Sequence, residues 1–73
     1  MLNDLGKQLV KIHLKEAERN RINMIKLIED IKPENVDRVM YQEYQSVLRE
    51  LKKMTDDDFK LIAIQLEYFE EEV

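Results

Sequence analysis

The side chains in this sequence that could do chemistry are abundant carboxylates, abundant amines and one imidazole. His13 and Glu16 stand three residues apart, a spacing at which a helix presents both on one side. Di-iron helical bundles use a glutamate and a histidine at that spacing. They place the glutamate first and add several further carboxylates. Here the order is reversed, and one chain supplies too few ligands. There is no cysteine, so disulfides and thiolate metal sites are excluded, and a zinc ion would need carboxylates around a lone histidine. Asp56, Asp57 and Asp58 suggest a calcium loop. An EF-hand requires alternating ligands, a central glycine and a closing glutamate, whereas the chain continues Phe59-Lys60-Leu61. No glycine-rich loop could cradle phosphate. Enzymes need an acid, base or nucleophile gathered in a concave site, and these carboxylates read as exposed groups at helix ends. The expectation is a non-enzyme with no catalytic residue, metal, cofactor or small-molecule substrate.

The amines form a clearer pattern. Lys7, Lys11, Lys15 and Arg19 recur every four residues, and Lys26 falls on the same side. Such a ridge could hold phosphates. Against that, the net charge is −4, which removes whole-molecule steering toward nucleic acid. No glycine-containing turn sits at helix-turn-helix spacing, and no aromatic residue interleaves with the ridge. Charge is distributed unevenly. Residues 1–32 hold seven basic and five acidic side chains, residues 33–54 hold four of each, and residues 55–73 hold one basic against seven acidic. A solvated ridge, or one lying against the acidic C-terminal residues Glu67, Glu70, Glu71 and Glu72 of the same or a second copy, is favoured over nucleic-acid binding.

The elements that position these groups are helices. With 73 residues the chain suffices for one domain, and a chain this short has a thin stability margin. Gly6 and Pro33 are the only residues of their types, too few for the turns of a strand-rich fold. The apolar fraction of 44% and charged fraction of 38% suit amphipathic helices. The longest uninterrupted apolar run, Leu61 to Ile64, cannot span a membrane, and no secretory signal opens the chain, so the cytoplasm is the expected location.

Periodicity predicts an all-α, three-helix up-down-up bundle in a single domain over residues 1–73, with helix 3 or the seam of helix 1 available for pairing as a homodimer. A long first helix is predicted over 2–31, a second over 34–54 and a third over 56–72. Within the first, the polar stretch 18–21 is the weakest place. Pro33 separates the first two, and Thr55 is an N-cap with Asp58 three residues on. Read as heptads, Val10, Ala17, Met24 and Ile31 share one seam position of the first helix, and His13, Asn20 and Leu27 share the other. His13 and Asn20 then either edge the core with polar ends in water or set register across a helix dimer.

The third helix is apolar on two sides. Phe59, Ile62, Ala63, Leu66 and Phe69 form its main stripe, while Leu61, Ile64 and Tyr68 project about 140–200° away from Phe59. The second group can mean a central helix, a dimer interface or a receiving surface for a partner. No family resemblance is drawn. Small size, acidity and helical economy are those of small regulators encoded by phages, plasmids and bacterial operons. The leading expectation is a protein-binding inhibitor, antirepressor or adaptor that uses Leu61, Ile64 and Tyr68 as apolar anchors with Glu67, Glu70 and Glu71 as charge. The alternatives are a nucleic-acid-binding dimer using the basic ridge and a structural subunit of an assembly.

Overall fold

The computed structural model describes residues 2–71, with side chains to residue 68, and these residues form an all-helical structure. Its elements are α1 (Asp4–His13), α2 (Arg21–Glu29), a 3-10 turn (Pro33–Asn35), α3 (Arg38–Lys53) and α4 (Asp56–Glu71). None of these helices is long and apolar enough to cross a membrane.

The long first helix expected over 2–31 is two helices. Residues 14–19 form turns, and Glu18 and Arg19 adopt left-handed backbone with φ of 56° and 54°. Asn20 then opens α2 as its N-cap, accepting the Asn23 backbone N–H at 2.9 Å. The Asn23 side chain donates back to the Ala17 carbonyl, which ties the turn to the new helix. Two strained residues cost about 1–2 kcal/mol each, so burial must decide the break. A continuous helix over 2–31 would be about 45 Å long at 1.5 Å per residue. The molecule's longest dimension is 33 Å. No partner element could cover such a helix, whereas folding it back places Leu9 and Val10 of α1 in one core with Met24 and Ile28 of α2.

The second expected helix starts four residues later than its pattern suggested. Pro33 initiates only a 3-10 turn, Val36 is extended, and the Asp37 carboxylate accepts the Met40 N–H at 2.8 Å as N-cap of α3. The capping aspartate outweighs the proline signal because it satisfies a backbone donor, which the proline merely lacks. The third helix begins where expected. Thr55 Oγ1 accepts the Asp58 N–H at 3.1 Å, and Asp56, Asp57 and Asp58 fill the first turn, where acidic groups complement the helix dipole. Its expected end, Glu72, lies outside the described residues.

One apolar cluster joins all four helices. Leu9, Val10, Met24, Ile28, Val47, Leu51 and Phe59 are almost wholly buried, with Leu14 and Ala17 contributed by the turn. Helix α3 packs on both α1 and α2, and α4 packs on α1. The α1–α3 approach is close at Gly6, where an added Cβ would meet Val47 Cγ2 at 3.2 Å. Ion pairs mark the helix junctions: Lys52 of α3 meets Glu29 of α2 at 3.2 Å, and Arg21 of α2 meets Asp56 of α4 at 2.8 Å.

Candidate functional site

Helix α4 presents two apolar faces with different fates. Phe59 and Ala63, four residues apart, are buried, and Ile62 and Leu66 are half-buried beside them. Leu61, Ile64 and Tyr68 lie on the opposite side and are 60%, 63% and 59% exposed. Their spacing of three and then four residues aligns them in one stripe along the helix. The described residues expose four other large apolar side chains. Ile22 and Val39 stand singly on their helices, and Leu5 and Ile12 are two turns apart on α1. Isolated apolar groups on a surface are ordinary, whereas a contiguous row is a mark of interaction sites.

Charge surrounds the α4 row. Asp57 lies at its N-terminal end and Lys60 at its flank, both exposed. Glu67, on the border between the row and the core face, accepts a hydrogen bond from Arg19 Nε at 2.7 Å. That bond and the attraction of the guanidinium hold the Glu67 carboxyl below its ordinary value and raise Arg19 above its own. The side chains of Glu70 and Glu71, the other acidic groups expected here, lie outside the described residues, as does that of Phe69.

No known protein family, curated protein or solved structure matches this chain. What the molecule does must therefore be argued from its own side chains.

The basic ridge is divided by the fold. Lys7 and Lys11 belong to α1, Lys15 and Arg19 to the turn, and Lys26 to α2. Lys11, Lys15 and Arg19 line a small cleft of about 120 Å³ with Leu14, and its far wall is Glu67. Part of the ridge thus faces the chain's own acidic helix, as the charge asymmetry suggested. Lys7 and Lys26 are exposed.

His13 and Asn20 do not share a seam, because the helix that would have aligned them is broken between them. Asn20 is spent on capping α2. His13 Nε2 lies 2.9 Å from the Tyr44 hydroxyl of α3, and its Nδ1 lies 3.6 Å from Glu16 Oε1. With Leu27, Asp30, Ile31 and Val36, these three residues line an open cleft of about 340 Å³. Burial raises the Tyr44 phenol above its ordinary value, so it remains protonated at neutral pH. A neutral phenol that is buried and already hydrogen-bonded is a structural partner for the imidazole rather than a nucleophile. Among the described residues, no three His, Cys, Asp or Glu side chains are placed to share a metal ion.

Two polar residues with evident tertiary work escaped the sequence reading. Tyr44 looked like one more member of the apolar stripe of α3, and its hydroxyl finds His13 across 31 positions of sequence. Arg21 donates from Nε to Asp56 and from Nη1 to the Leu51 carbonyl at 2.9 Å. It bridges the start of α2 to the end of α3 and the start of α4. Neither partner is near in sequence, so no local pattern carried a signal for these contacts.

Proposed function

We propose that this chain is a small acidic helical module that docks on a larger protein through the outer face of α4, acting as an inhibitor, antirepressor or adaptor. One observation carries the reading: Leu61, Ile64 and Tyr68 form an exposed apolar row on a helix whose opposite side already supplies the core. Leu61 and Ile64 are the apolar anchors. Tyr68 adds a large ring with a polar end, a residue type favoured at the energetic centres of interfaces. Glu67, Glu70 and Glu71 supply acidic charge around them. No catalytic residue or cofactor is assigned.

The energetics limit the affinity that these anchors can give. Full burial of such a side chain contributes about 1.5–3 kcal/mol, and part of each is already covered. Association costs about 4–15 kcal/mol in lost freedom and ordering. Three anchors therefore need help from the partner's rim, and the complex is expected to be one that forms and dissociates readily.

The test compares affinity capture from cells of origin with the native chain and with a Leu61→Ala/Tyr68→Ala variant. Captured proteins that disappear with the variant, while its helical circular dichroism is retained, support the reading. Unfolding of the variant would place these residues in the core and remove the interface. The nucleic-acid alternative, through Lys7, Lys11, Lys15, Arg19 and Lys26, is weakened by the pairing of Arg19 with Glu67. It requires binding to DNA or RNA at low ionic strength that falls steeply with added salt.

A further inference from the structure

Independently of the α4 face, we propose that the open cleft lined by α1, α2 and α3 binds a small organic cation, an ammonium carried on a broad apolar body. The cleft holds about 340 Å³, within the range of about 300–1,000 Å³ usual for small-molecule sites. Leu27, Ile31 and Val36 supply its apolar lining, beside the hydrogen-bonded pair of His13 and Tyr44. Its acidic lining is Glu16 and Asp30, and no lysine or arginine lines it among the described residues. Two helices also end here. His13 is the last residue of α1, and Asp30 is the C-cap of α2. The carbonyl end of a helix carries roughly half a negative charge and favours a cation. An acid at such an end is disfavoured by the helix's own field. Glu29, at the same end of α2, is relieved by Lys52 at 3.2 Å. Asp30 makes no ion pair among the described residues. The fold thus leaves it an uncompensated charge that a bound ammonium neutralises. A metal ion does not fit, since no three acidic or imidazole side chains among the described residues are placed to share one. The three branched side chains ask for more than a bare ammonium, because the apolar surface they offer is covered only by a broad body such as a ring.

The experiment titrates the full chain at fixed neutral pH with three probes: 2-phenylethylammonium, its neutral twin 2-phenylethanol, and lysine blocked at both backbone ends. His13 is the only histidine, so its imidazole NMR signals report on this cleft directly. The ring of Tyr68, which is exposed on α4 and does not line the cleft, is the control. The aromatic amine is expected to move His13 and leave Tyr68 in place. It should bind about fivefold more tightly than the alcohol, the value of one exposed charge contact. Glu16→Gln/Asp30→Asn should bring the two to within about twofold of each other. That variant should unfold no earlier than the native protein, since it removes a charge that the end of α2 opposes. Equal binding of amine and alcohol would overturn the proposal, as would a preference for the amine that survives the double variant. Movement of Tyr68 alongside His13 would show attraction to the acidic surface at large and would also overturn it. Blocked lysine bound as tightly as the aromatic amine would assign the cleft to a basic side chain of a partner instead. Signals of His13 that no probe moves would mean that the cleft holds no ligand of this class.

Discussion

His13 and Tyr44 meet where α1 crosses α3, with 2.9 Å between the imidazole nitrogen and the hydroxyl. Tyr44 is 7% exposed and belongs to the apolar core, while His13 is only half-covered. The hydrogen bond lets the tyrosine keep its ring inside without stranding its hydroxyl. Tyr44→Phe should cost about 0.5–1.5 kcal/mol, the net value of such a bond, measured by urea unfolding at neutral pH. The raised phenol value also fixes a sign. The folded state holds the Tyr44 proton more tightly than the unfolded chain, so this contribution is present below the ordinary value of 10.0 and is lost as pH rises through the folded one. Between the ordinary value and the raised one, the native protein should lose stability with pH more steeply than Tyr44→Phe. Glu67 has the opposite sign. Its lowered carboxyl stabilises the fold above its ordinary 4.5, and that stability is lost as pH falls through the lowered value. Glu67→Gln should therefore flatten the acid limb of the unfolding profile, and an unchanged limb would show that the pair with Arg19 contributes nothing in solution.

At the scale of elements, the informative segment is the turn between α1 and α2. Its two left-handed residues, Glu18 and Arg19, carry side chains where glycine would be unstrained. Glu18→Gly should be neutral or stabilising by up to about 1 kcal/mol, since relief of strain competes with the added freedom of the unfolded chain. In a continuous helix the same change would cost about 1 kcal/mol, so thermal unfolding distinguishes the two arrangements by sign. Asn20 gives a second check. As the N-cap of α2 it should lose about 1 kcal/mol on replacement by alanine, recovered largely by Asn20→Asp and independent of protein concentration. A loss that grew on dilution would return Asn20 to the register-setting role across two copies.

At the scale of the molecule, the two faces of α4 provide an internal comparison. A chain of this length is expected to be stable by about 4–11 kcal/mol at 0.05–0.15 kcal/mol per residue. Phe59 is 1% exposed and meets a core drawn from all four helices, so Phe59→Ala should cost about 3–5 kcal/mol. That is a large part of the whole margin, and the variant should be partly unfolded at physiological temperature. Leu61→Ala, two residues away and 60% exposed, should change stability by no more than about 0.5 kcal/mol. Its effect belongs in binding instead. Equal destabilisation by the two replacements would mean that both faces of α4 are structural.

Local chemistry alone specified much of this protein. The scarcity of glycine and proline, the three-to-four-residue apolar spacing and the cap at Thr55 determined an all-helical chain and placed the start of α4. The same spacing separated Phe59 and Ala63 from Leu61, Ile64 and Tyr68, because a helix sends residues half a turn apart to opposite sides whatever surrounds it. Tertiary structure decided the rest. The apolar stripe of residues 2–31 is equally consistent with one long helix or two. Only the lack of any element long enough to cover 30 residues selected the turn at Glu18 and Arg19, which in turn removed the seam between His13 and Asn20. It also decided which apolar face of α4 was consumed by the core, and which distant residues Tyr44 and Arg21 would meet. Those choices depend on contacts between residues tens of positions apart, whose closure depends on the packing of the whole chain rather than on any local pattern.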